Sequence, residues 1–334
     1  MESQLLPLLT REGVLIKVSV SYWRGCKKLK AEDIGLRASD VSDRLISLGH
    51  KRLLPKESTQ RLSVLESRAH ALIESNTFPF LGGLGHFLPN ARLQEVTQRL
   101  KAIETEFWQA KAEFLNHYAS LRQSASNEWA LMAQKLVKDP DRLLATIEAS
   151  FPLPQRMDRF YGFETHLFQV SIPESLNVDL VTTAEREQVI AARQQAVNEA
   201  SAKIRQDVQV FVADCVASLR QQTAQLCEEM LASIQTSETG VHQKTLNRLV
   251  RFIDQFKQMN FANDVEMERQ LERVRAELLN KTAEEYRDSR TARQRLTAGL
   301  QQLAEQARTL AKQDAGDLVE RFGEMGRRKF QLAA

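Results

Sequence analysis

In the C-terminal half of the chain, apolar residues recur at spacings of three and four: Ile204, Val208, Phe211, Cys215, Leu219, Leu226, Met230 and Ile234, with Gln222 interrupting. This is the stripe of an amphipathic helix whose apolar edge needs cover. From Thr183 to Glu238 there is neither Gly nor Pro, and Ala, Gln, Arg and Glu dominate. An unbroken helix over that stretch would be about 80 Å long at ~1.5 Å per residue. Ser237-Glu238-Thr239-Gly240 supplies a stop and turn, after which Leu246, Leu249, Ile253 and Phe256 restart the stripe. A second break falls at 260–264, where Asn263 or Asp264 is placed to cap a third helix carrying Leu271, Val274 and Leu278. Leu296, Leu300, Leu303, Ala307 and Leu310 continue the pattern. Between them, Thr282 to Arg295 is mostly charged or small around Tyr286, and a loose or solvent-facing seam is expected there. A helix returning past Gly240 can bury the first stripe, so residues 181–334 are expected to form an elongated antiparallel coiled coil or helical bundle. Gly316, Gly323 and Gly326 loosen its end, and Arg327-Arg328-Lys329 forms a short basic tail.

Residues 1–180 read as a mixed helical domain. Gly13 to Trp23 and Gly162 to Ile172 alternate or are rich in β-branched residues, which predicts two strands. Their economical arrangement is a small two-stranded sheet packed on helices. Helical spacing marks Ser58 to Glu74, Leu93 to Leu121 and Asn127 to Val137. The fold class is therefore mainly α: a long coiled coil or bundle plus a small sheet in the N-terminal half.

Composition sharpens this picture. All eight prolines lie in the first 173 residues, leaving the rest free for long helices. With 46 Lys+Arg against 43 Asp+Glu and a net charge of +3, no bulk attraction to polyanions follows. No apolar stretch approaches the ~18–20 residues of a membrane-spanning helix, and the first residues lack a basic leader, so a cytoplasmic location is expected. Cys26, Cys215 and Cys227 have no CxxC spacing, and the six His show neither HxxxH nor HExxH. Glu228-Glu229 and Glu284-Glu285 diverge around a helix and do not form an acid/base pair. No catalytic residue, metal ligand or cofactor site is read from the chain.

Two segments stand out as candidate contact sites. Asn76 to Asn90, NTFPFLGGLGHFLPN, reads as a flexible apolar loop between two helices, either buried and stapling them or exposed to a partner or membrane. Its Gly82-Gly83-Leu84-Gly85 run does not suit a nucleotide phosphate loop, since no strand is expected before it and no Lys-Ser/Thr follows. Arg24, Lys27, Lys28 and Lys30 form a basic cluster read as a solvated loop, with anion or nucleic-acid contact as the sharper alternative. The partner-binding residues expected from these segments are Trp23, Arg24, Lys27, Lys28, Phe78, Phe80, Leu84 and Phe87.

Four stretches, SYWRGCKKLKAEDIG (21–35), GHFLP (85–89), FWQAKAEFLNHY (107–118) and FPLPQRMDRFYGFETHLFQV (151–170), resemble the bacterial domain-of-unknown-function 3150 family. The resemblance implies a non-enzymatic accessory or adaptor protein. It would act beside MoxR-type AAA+ ATPases and von Willebrand factor A or cobaltochelatase-like subunits, in mobile-element or phage-defence clusters. It carries over no catalytic residues. The expected partners are such an ATPase, a von Willebrand factor A-type protein and further copies of the chain. The alternatives are a membrane-perturbing helical protein with residues 76–90 as its apolar tip and, more weakly, a nucleic-acid-binding scaffold.

Overall fold

A computed structural model describes residues 5–34, 36–37, 48–170, 183–236 and 240–312. The chain is mainly α. In order, the elements are α1 (Leu5–Glu12), β1 (Gly13–Ser21), β2 (Cys26–Lys28), β3 (His50–Arg52), α2 (Gln60–Glu74), β4 (Phe78–Phe80), β5 (Gly85–Pro89), α3 (Asn90–Leu136), α4 (Pro140–Ser150), β6 (Gly162–Phe168), α5 (Thr183–Thr236), α6 (Gln243–Met259), α7 (Val265–Leu278), α8 (Ala283–Asp288) and α9 (Arg290–Lys312). The basic tail at 327–329 and the glycines after 315 lie outside the described residues.

The two expected strands are neighbours in one sheet, but that sheet has four strands in the order β4-β5-β1-β6, not two. The additional pair comes from the segment read as an apolar loop. β1 pairs antiparallel with β5 (Leu15 opposite Phe87), and β4 with β5 (Phe80 opposite Gly85). A second, two-stranded sheet joins β2 to β3. Close approach explains Gly13 in β1: a Cβ there would lie 2.5 Å from both the Leu88 oxygen and the Phe87 ring.

Two compact units interleave along the chain. The expected division near residue 180 separates no such units, because 1–16 and 76–94 cluster with 167–334, while 17–75 and 95–166 form the other. In the first unit, α5 packs most extensively on α9. The two helices run antiparallel, since Arg220 of α5 donates to the Leu310 carbonyl at 2.7 Å, and Glu228, two turns on, pairs with Arg308 at 2.5 Å. The main cover of the first stripe is thus α9, while α6, the helix directly after Gly240, adds Leu246, Leu249, Ile253 and Phe256 to the same core. The stripe passes Gln222 by using Thr223, whose hydroxyl satisfies itself on the Leu219 carbonyl at 2.9 Å. Val212, Val216, Ala224 and Cys227 are buried too, because a helix covered from more than one side buries more than one stripe.

The seam around Tyr286 is not loose. Thr282 and Glu285 form a reciprocal capping box that starts α8, and the buried Tyr286 donates its hydroxyl to the Leu278 carbonyl. Asp264 caps α7 by accepting from the Met267 amide at 3.3 Å. It also receives Arg220 Nε at 2.6 Å, so a fully buried ion pair ties α5 to the α6–α7 turn.

In the second unit the two helical stretches expected in 93–137 merge into the single 47-residue α3, since nothing between them breaks a helix and Ala125 packs inward. Asp139 caps α4, accepting from the Arg142 amide at 3.2 Å, with Pro140 at the first helical position. The core here is aromatic. Trp23 lies 6.2 Å from Phe114, 5.7 Å from Tyr118 and 6.3 Å from Phe151, measured between ring centroids. Phe107 lies 5.7 Å from Phe163.

Candidate functional site

The eight residues expected to bind partners fall four to each unit. In the first unit, Phe78, Phe80 and Phe87 of the β4–β5 hairpin are buried. Phe80 meets Phe211 of α5 edge-on at 4.8 Å, and Phe87 lies 4.8 Å from Phe261, which Phe78 approaches to 5.6 Å. These three rings form core contacts, which corrects their reading as exposed anchors: an antiparallel hairpin laid on a helix turns its aromatics inward. Leu84 alone of the four is presented to solvent, at 59% exposure. A strand does precede the Gly82-Gly83 run, contrary to expectation, but the run returns into a second strand and opens no helix. The phosphate-loop geometry is therefore absent by topology.

The turn takes three successive residues through positive φ: Leu81 at 39°, Gly82 at 63° and Gly83 at 101°. The two glycines make that path cheap, and Leu81 is held there as a non-glycine. The turn stands over α5 and leaves an open groove of about 700 Å³, with Pro79, Leu81, Gly82 and Leu84 on one wall. The facing wall is α5, where Ile204, Val210 and Phe211 are interleaved with Lys203, Asp207 and Asp214. Val210 is 54% exposed, so two large apolar side chains flank the groove without cover.

In the second unit Trp23 is buried in the aromatic core and is not a surface anchor either. Arg24 is exposed, stacks on the Tyr22 ring at 5.5 Å and pairs with Glu66 at 2.9 Å. Only half of the basic cluster lies in loop: Arg24 and Lys30 flank β2, on which Lys27 and Lys28 lie exposed, opposite Lys51 and His50 of β3. Asp33, not singled out from sequence, is buried and accepts both from Lys51 Nζ and from the Lys30 amide at 2.8 Å. Burial alone would raise its pKa, but these two donors and their charges hold the carboxyl below its ordinary range. The lysine-rich β2–β3 pair is thereby anchored through the buried Lys51.

The remaining perturbed groups have structural causes. Burial pushes the Cys215 thiol well up and that of Cys227 to about 12, with Asp214 and Glu228 adding to the effect, so both are poor nucleophiles. Burial likewise raises Tyr161, whose hydroxyl has no hydrogen-bond partner among the described residues. Glu228 and Glu229 diverge as expected, to Arg308 and Arg248. Among the described residues no group of three or more His, Cys, Asp or Glu is placed to hold a metal ion, and no helix is long and apolar enough to cross a membrane.

Compared with known proteins, residues 10–285 match the family described as Protein of unknown function (DUF3150). No curated protein and no solved structure matches the chain.

Proposed function

The chain belongs to this family of unknown function, and we propose from its surfaces that it works by contact, not bond-making, as a non-enzymatic accessory or assembly protein. Its partner in this reading is a MoxR-type AAA+ ATPase with its von Willebrand factor A-type companion, in the cytoplasm of a host carrying the mobile element. The antiparallel α5 and α9 then serve as a coiled-coil strut, and the groove at the β4–β5 turn receives a segment of the ATPase. The observation that carries the reading is the exposure of Leu84 and Val210 beside that groove. Asp207 and Asp214 outnumber Lys203 there, so the segment that fits carries a bulky apolar residue next to a cation. The family resemblance supplies the partner class.

The test is affinity purification of the full chain from its native host at moderate salt. The ATPase subunit is expected with the unmodified protein and is expected to be lost with Leu84→Asp or Val210→Asp. Recovery of the chain alone, or equal ATPase recovery with both variants, would overturn the reading. The membrane-tip alternative is less favoured, because Phe78, Phe80, Phe87 and Leu88 of residues 76–90 are buried.

A further inference from the structure

We propose that the outer face of the last turns of α3 is a self-association surface on which a second copy of this chain lies antiparallel. This inference names a partner different from the ATPase and rests on observations in the second unit alone. On the inward side of this stretch Ala125 and Ala133 are buried, and Trp129 Nε1 donates to the Arg52 carbonyl at 3.0 Å. On the outward side Leu131 is 67% exposed, Met132 50% and Leu136 56%. These are large apolar side chains on a well-formed helix, uncovered over consecutive turns.

The charges around them select the occupant. Glu128, Leu131, Met132 and Lys135 follow the i, i+3, i+4, i+7 spacing of one helix face. Glu128 and Lys135 are exposed, and neither is in an ion pair among the described residues. They sit three positions to either side of the apolar pair, so the pattern is its own complement when reversed. With a twofold axis between Leu131 and Met132, each copy's Leu131 faces the other's Met132, and each Glu128 faces the other's Lys135. Every contact is made twice, as an isologous interface requires. Parallel pairing would set Glu128 against Glu128 and Lys135 against Lys135. A wholly acidic or wholly basic partner would satisfy one charge and oppose the other. A helix contact of this length falls below the roughly 1,200 Å² of a standard interface, so the association is concentration-dependent.

The experiment is sedimentation equilibrium on the full-length protein up to about 100 µM, the range in which a contact of this size is populated. Dimers are expected. Glu128→Lys and Lys135→Glu, each of which creates like-charge pairs across the axis, are expected to weaken self-association at least about tenfold. An equimolar mixture of the two variants is expected to recover dimers, because all the cross-axis pairs are then opposite in sign, and the double variant should recover them alone. Misfolding of a single variant would not be reversed by mixing, so the recovery reads the interface itself. A monomer throughout, single variants that dimerise as well as the parent, or no recovery on mixing would each overturn the proposal. ATPase capture through Leu84 and Val210 is read separately, so either proposal can fail without the other.

Discussion

The two units reach stability by different chemistry. The first buries aliphatic stripes along long helices beside the Phe80, Phe87, Phe211 and Phe261 rings, and pins α5 with a fully paired polar tie, Arg220 to Asp264 and to the Leu310 carbonyl. The second gathers Trp23, Phe107, Phe114, Tyr118, Phe151, Tyr161 and Phe163 from four separate stretches of chain around α3. A helix pair distributes its burial evenly, whereas an aromatic cluster concentrates it in a few large side chains. Single substitutions should therefore be most damaging where such rings meet, above all in the second unit, and at the tie in the first.

The largest expected effect is Trp23→Ala, at about 3–5 kcal/mol, since it empties the centre of three ring contacts. Urea titration followed by far-UV circular dichroism measures it; a loss below about 1 kcal/mol would show that the cluster is not the keystone of its unit. Next comes Arg220→Met, expected to cost about 3 kcal/mol by leaving the Asp264 carboxylate buried without its cation. Adding Asp264→Asn, which keeps a capping side chain for the Met267 amide, should return part of that loss. No recovery would mean that the arginine matters for its packing and not for its charge.

Smaller and opposite in sign are two tyrosines of the aromatic core. Tyr118 donates to the Pro152 carbonyl at 2.8 Å, so Tyr118→Phe should cost about 1 kcal/mol. Tyr161 has a buried hydroxyl with no partner among the described residues, so Tyr161→Phe should be neutral or stabilising by up to about 1 kcal/mol. Equal costs would refute the distinction. The last and smallest effect is on the pH dependence of stability, read apart from the baseline loss that leaving Lys51 buried without its anion brings. Because the Asp33 carboxyl is held below its ordinary range in the fold, its contribution is present above the unfolded carboxylate pKa of about 4 and is lost as pH falls through its lower folded value. Asp33→Asn should flatten that part of the stability–pH profile; an unchanged slope would show that the Lys51 pair is not linked to folding.

The first unit was the more legible in sequence for the same reason that it tolerates change: a 3.6-residue period repeats its message over many turns, so Val208 to Ile234 and Leu296 to Leu310 announce themselves. The stripe does not say which neighbour covers it, and α9 took the place expected mainly for the helix after Gly240. The β4–β5 hairpin was hidden because Phe87, Leu88 and Pro89 are all buried, and a strand buried on both faces shows no alternation. The Phe78–Phe80 spacing flanking Gly82-Gly83 was the available signal. β2 and β3, three residues each and rich in Lys, His and Arg, carry no strand propensity and are set by tertiary contact. Of the candidate site, Leu84 was legible from sequence, whereas Val210 and the α3 face were not. Helical spacing at 127–137 identifies a face but cannot tell whether the fold leaves it bare.

The chain passes between the two units at 16/17, 75/76, 94/95 and 166/167, so each is stitched from non-consecutive stretches. Excising either as one continuous piece removes strands or helices that the other stretches need, and a protease nick at a crossing should leave fragments that stay associated until denaturant is added. Dissecting this protein therefore calls for point changes on an intact polypeptide instead of truncation.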